Sequence, residues 1–103
     1  MNVLINKEKG WTEAIIDDNC EYNKFYRSVE ILKKEFKIEF SSEMDGLDSL
    51  YWDFDYKESK LTLHYNIYEG ISIFPVAFEK ATLIDNENVI EIGGLLFEKL
   101  NKK

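Results

Sequence analysis

Cysteine and histidine each occur once, as Cys20 and His64. A thiol–imidazole pair is the nucleophile–base combination these two residues offer. Neither stands in a recognisable catalytic signature. Cys20 reads as a structural cysteine at a helix start, and His64 as a surface residue of a strand. The chain has no HExxH, CxxC or EF-hand loop, so no ligand spacing points to a bound metal. Asp45, Asp48, Asp53 and Asp55 could hold a divalent cation weakly, but ordinary solvated carboxylates account for them. Asp53 and Asp55 are two residues apart on one strand face, a separation of about 7 Å. Without a pocket, nothing splits their acidities for acid–base work. Gly93-Gly94 carries neither a GxGxxG pattern nor a P-loop lysine. No cofactor and no turnover activity are expected.

The informative chemistry is a mixture of acids and aromatics. Between residues 43 and 58, Glu43, Asp45, Asp48, Asp53, Asp55 and Glu58 face a single Lys57, interleaved with Leu47, Leu50, Tyr51, Trp52 and Tyr56. Period-two alternation puts Leu50, Trp52, Phe54 and Tyr56 on one strand face and Tyr51, Asp53 and Asp55 on the other. The next strand alternates likewise. Leu61, Leu63, Tyr65 and Ile67 point inward, and Thr62, His64, Asn66 and Tyr68 point outward. Tyr51, Asp53, Asp55, His64, Asn66 and Tyr68 are therefore the candidate partner-binding residues, with Ser72 and Phe74 beyond them. Tyrosine supplies rigid contact area and a hydrogen bond. Carboxylates steer a cationic partner and accept bidentate arginine. Trp52 is expected inside, where its loss threatens folding. Asp53→Ala is expected to be nearly silent for stability.

The elements that must position these residues follow from periodicity. Residues 2–6 and 11–16 are short apolar runs, read either as a hairpin or as a strand followed by irregular chain. Tyr22, Phe25, Val29, Leu32 and Phe36 form one stripe of a helix over 18–36, with Asp18 and Glu21 as a capping box. Residues 37–41 alternate as a strand, followed by a polar connection over 42–48. Two further turns, at Glu58-Ser59 and Glu69-Gly70, complete a meander that Pro75 ends. Residues 76–84 are apolar enough to be buried but fit neither period. Asp85 or Asn86 caps a last helix whose stripe is Val89, Ile92, Leu96 and Leu100. Its Gly93-Gly94 costs about 1 kcal/mol per residue against alanine, which implies either close packing of the helix backbone on the sheet or a frayed or broken helix. The expectation is one α+β domain over 1–103. An antiparallel meander of about four strands is flanked by an N-terminal and a C-terminal helix on one face.

At 103 residues, with 45% hydrophobic residues, one proline and five glycines, the chain can bury a core without a disulfide or metal. Its formal net charge of −7 argues against nucleic acid or an anionic membrane as partner and permits a basic protein. One cysteine, no span of about 18 apolar residues and no signal-like start fit a cytoplasmic protein.

The stretch Leu50–Pro75, with its aromatic strand Tyr51-Trp52-Asp53-Phe54, its second strand Leu61-Thr62-Leu63-His64-Tyr65 and its Gly70-Ile71-Ser72-Ile73, resembles the meander of small acidic immunity proteins. These belong to bacterial toxin–immunity systems, including contact-dependent growth inhibition. The resemblance covers about a quarter of the chain and carries no catalytic residues. It implies a cytoplasmic protein that binds and neutralises a cognate toxin, often a basic nuclease. A self-associating or general interaction module is the alternative reading, and a small enzyme a third.

Overall fold

The structure, a computed structural model, describes residues 2–6, 11–17, 21–77 and 80–101. Cys20, Asp18 and Phe78 lie outside the described residues. Six strands form one antiparallel sheet: β1 (Asn2–Asn6), β2 (Trp11–Asp17), β3 (Phe40–Asp45), β4 (Ser49–Tyr56), β5 (Ser59–Asn66) and β6 (Gly70–Pro75), in the order β1-β2-β6-β5-β4-β3. Helix α1 (Tyr22–Phe36) connects β2 to β3, and α2 (Leu83–Leu100) follows β6. The fold is thus the α+β arrangement expected, with two more strands. The N-terminal run is a hairpin, Asn2 pairing with Ile15 and Asn6 with Trp11. It enlarges the β3–β6 meander by joining β6 through Ala14–Ile73 and Ile15–Ser72.

Alternation produces the core. Ala14 and Ile16 of β2, Leu50, Trp52 and Phe54 of β4, Leu61, Leu63 and Tyr65 of β5, and Ile71 and Ile73 of β6 are all buried, and they share one sheet face through the pairings Ala14–Ile73, Leu63–Ile73 and Trp52–Leu63. Both helices cover that face. Phe25, Val29 and Leu32 of α1, and Val89, Ile92, Leu96 and Leu100 of α2, are buried against it. Trp52 is the hub of the α1 side: Phe25, Phe40 and Tyr26 meet it edge to face at 5.4, 5.5 and 5.8 Å, and its Nε1 donates to Asp45 Oδ1 at 2.8 Å. On the α2 side, Gly93 lets the helix backbone approach β2. A Cβ there would stand 2.8 Å from that of Ala14.

Several boundaries differ from the sequence reading. Helix α1 begins at Tyr22 after Glu21, which makes no side-chain cap bond. Lys37 does not start a strand; it ends α1 in the left-handed region, at φ 55°. The chain folds back there, with the Ile38 N–H donating to the Leu32 carbonyl. The polar connection is itself strand. β3 runs to Asp45 at the sheet edge, where every residue after Phe40 is exposed, and its pairing shifts between Phe40 and Ser42. Ser59 opens β5 rather than turning the chain, and Lys57 takes the positive φ of the β4–β5 turn. Helix α2 is capped by Thr82, with Asp85 as the reciprocal partner of a capping box. Ala77, Leu83 and Ile84 are exposed, not buried.

Candidate protein-binding surface

The sheet face away from the helices carries the predicted residues. Pairing across β3, β4, β5, β6 and β2 places Met44, Tyr51, His64, Ser72 and Ile15 in one transverse row. Asp53 pairs with Thr62, Asp55 with Lys60, and Asn66 with Ser49. Each predicted residue therefore lies on or beside this face, but their environments differ.

Tyr51 is 39% exposed and lies against the His64 ring, with centroids 4.6 Å apart. Asp55 is exposed. Asp53 is half-buried, and its Oδ1 accepts from the buried Thr62 hydroxyl at 2.6 Å. This corrects the expectation that Asp53 is free of structural work, since its removal strands a buried donor. His64 is not a surface residue. It is 7% exposed, held between the Tyr51 and Phe74 rings. Burial pushes its pKa below the ordinary 6.5, with Glu13 and Glu69 pulling weakly the other way. The neutral imidazole is therefore the form the fold favours. Phe74 is buried as well.

Asn66 shapes the end of the patch. Its Nδ2 donates to Ser49 Oγ at 2.9 Å, and its Oδ1 accepts from the Tyr68 N–H at 2.8 Å. This Asx-type bond, with Gly70 at φ 88°, makes a tight turn of Ile67, Tyr68 and Glu69. Tyr68 is thus a turn residue rather than a strand residue, and it is 78% exposed. Ile67, expected inside, is also exposed in this turn. The Ile67 N–H donates to the Asp48 carbonyl, which ties this turn to the β3–β4 turn. Met44 and the fully exposed Leu47 therefore join Tyr51, Ile67 and Tyr68 at one end of the sheet. Asp48 and Glu69, both exposed, belong to the same two turns, whereas Glu43, opposite Trp52, lies toward the helix side with Lys33 and Lys37. Sequence reasoning placed neither Met44 nor Ile67 in the patch. The signal available for Leu47 was an apolar residue inside an acidic turn.

His64 Nδ1 lies 3.4 Å from Ser72 Oγ, its pairing partner on β6. Both residues are buried, and His64 Nε2 has no hydrogen-bond partner among the described residues, so no acid orients the imidazole as a base requires. Among the described residues, no three His, Cys, Asp or Glu side chains come together as a metal site. No helix there is long and apolar enough to cross a membrane. What the arrangement can do is bind: fixed aromatic and apolar side chains stand among carboxylates on a sheet backed by a packed core. No family model, curated protein or solved structure matches the chain.

Proposed function

We propose that this chain is a non-enzymatic inhibitor, an immunity protein that binds and neutralises a basic toxin domain, as its resemblance to that class implies. The observation that carries the reading is the exposed cluster of Met44, Leu47, Tyr51, Ile67 and Tyr68 among acidic residues. Large apolar side chains held in solvent by a turn and a sheet cost solubility and serve contact. A charge of −7 supplies long-range attraction to a cationic protein and repels nucleic acid. Against a nuclease, such a surface occupies the field that lysines and arginines present to phosphate.

The test is affinity capture from lysate of the native host, with the wild type beside a Tyr51→Ala, Asp53→Asn, Asp55→Asn variant. Asparagine keeps the acceptor that Thr62 needs. The expected result is a basic protein held by the wild type, released by the variant and inhibited on binding. Capture of an acidic protein, or equal capture by both, defeats the reading.

A further inference from the structure

We infer that the cavity between β2 and the β5–β6 turn receives an arginine side chain of the basic partner, an inference that rests on the protein-binding reading above. The cavity is about 290 Å³ and is lined by Glu13, Ile15, Glu69 and Ser72. That volume accommodates one long side chain. The lining matches a guanidinium on a hydrocarbon stem: Ile15 offers an apolar wall, while Glu13 and Glu69 offer carboxylates from opposite elements. Neither glutamate has an ion-pair partner among the described residues. The contrast is the larger depression of about 500 Å³ beside β3, where Lys33 and Lys37 stand with Glu39 and Glu43 and supply cations of the protein's own.

A second observation comes from the buried polar floor. Ser72 is 6% exposed yet lines the cavity. Its hydroxyl is met, among the described residues, only by the long 3.4 Å approach of His64. His64, paired with Ser72 across β5 and β6, has a buried Nε2 without a partner among the described residues but does not itself line the cavity. A buried serine with one long contact has room for a further hydrogen-bond partner from the cavity. Because burial favours the neutral imidazole, His64 itself adds no positive charge beside the cavity. Arginine fits better than lysine, since its planar fork of five donors can reach both carboxylates and the Ser72 oxygen together.

The test uses the ¹⁵N-labelled full chain titrated with N-acetyl-arginine methylamide, its uncharged citrulline analogue and its lysine analogue, followed by amide chemical shifts. The arginine probe should give saturable shifts at Glu13, Ile15, Glu69 and Ser72. The citrulline probe should give none, and lysine should bind more weakly. Glu69→Gln, in an exposed turn, should weaken arginine binding about tenfold, the size of a lost charge-assisted bond. Glu13→Gln should do the same, with a melting curve to confirm its fold. Absence of saturable shifts at these residues, an equal response to citrulline, tighter lysine binding or an unaffected Glu69→Gln overturns the inference. The probe needs no protein partner. A cavity that takes the probe in a protein that captures no basic partner refutes the protein-binding reading alone. Partner capture with a cavity that ignores the probe refutes the arginine site alone.

Discussion

Trp52 is the residue through which the binding face and the core are mechanically joined, and replacing it in two steps separates its roles. It belongs to β4, the strand that presents Tyr51 and Asp53 on its other side. Its ring is buried against Phe25, Tyr26 and Phe40, and its Nε1 bonds to Asp45 on the edge strand. Truncating a core aromatic to alanine costs about 3–5 kcal/mol, from lost burial and the cavity left behind. A domain of this length has a total stability of about 5–15 kcal/mol, so Trp52→Ala should leave little margin. Trp52→Phe keeps most of the ring contact and removes the hydrogen bond. Because Asp45 is exposed and water can replace the donor, that loss is about 1 kcal/mol, with up to about 1 more for reduced packing. Urea denaturation followed by far-ultraviolet dichroism reads both. At a slope of about 1.5 kcal/mol per molar, Trp52→Ala should lower the midpoint by about 2–3 M, and Trp52→Phe by about 1 M. A fall of less than about 0.5 M for Trp52→Ala, or equal falls for the two variants, would refute the placement of this ring as the hub of the core.

Gly93→Ala should destabilise despite the better helix former. The helix gains about 1 kcal/mol, but forcing a methyl against Ala14 costs about 1–3 kcal/mol. A raised melting temperature would show that the helix does not sit so close to β2. In acid, Asp85 should matter. The Ser59 hydroxyl, then the Thr82 cap, hold its carboxyl below the ordinary 3.8. It therefore contributes stability above that pH, lost as pH falls through the depressed value, and Asp85→Asn should flatten the acid limb of a stability–pH curve. His64 acts with the same sign at higher pH. Its depressed pKa makes stability decline as pH drops below 6.5 toward the folded-state value, and His64→Leu should abolish that slope. Tyr56, pushed up to about 12 by burial and by its bond to Glu91, stabilises fully below pH 10 and loses that contribution as pH rises through about 12. Tyr26, bonded to Tyr22, is likewise raised to about 12, so phenolate absorbance should show two late-titrating tyrosines, of which Glu91→Gln brings down only Tyr56.

The paired strands were readable because one of their faces meets the helices. Leu50, Trp52 and Phe54 had to alternate with residues turned away, and so did Leu61, Leu63 and Tyr65. Helix α1 was readable from Phe25, Val29 and Leu32 for the same reason. β3 was not, because an edge strand that buries little has no apolar alternation to show. Its Ser-Ser-Glu-Met-Asp looks like a loop. Alternation also tells which face a residue takes but not how deeply it lies. His64 and Phe74 belong to the outward set, yet neighbouring rings on the same face bury them. Tyr68 reads by alternation as an outward strand residue, but it lies beyond β5 in the turn. The Asn66 side chain ends the strand and turns it, an effect of local hydrogen bonding that period-two counting does not register.

The claim that an acidic and aromatic face engages a cationic protein is tested most directly by association kinetics. The captured partner is immobilised, and binding of the wild type and of Asp53→Asn/Asp55→Asn is followed across ionic strength. Exposed charges are screened beyond about 8 Å at physiological salt. The wild-type on-rate should therefore fall steeply with added salt, while the off-rate changes little. The double variant should start slower and respond less, and Tyr68→Ala should instead raise the off-rate at least about tenfold, as loss of a central aromatic contact does. An on-rate indifferent to salt, or a double variant with the wild-type salt dependence, would contradict the account.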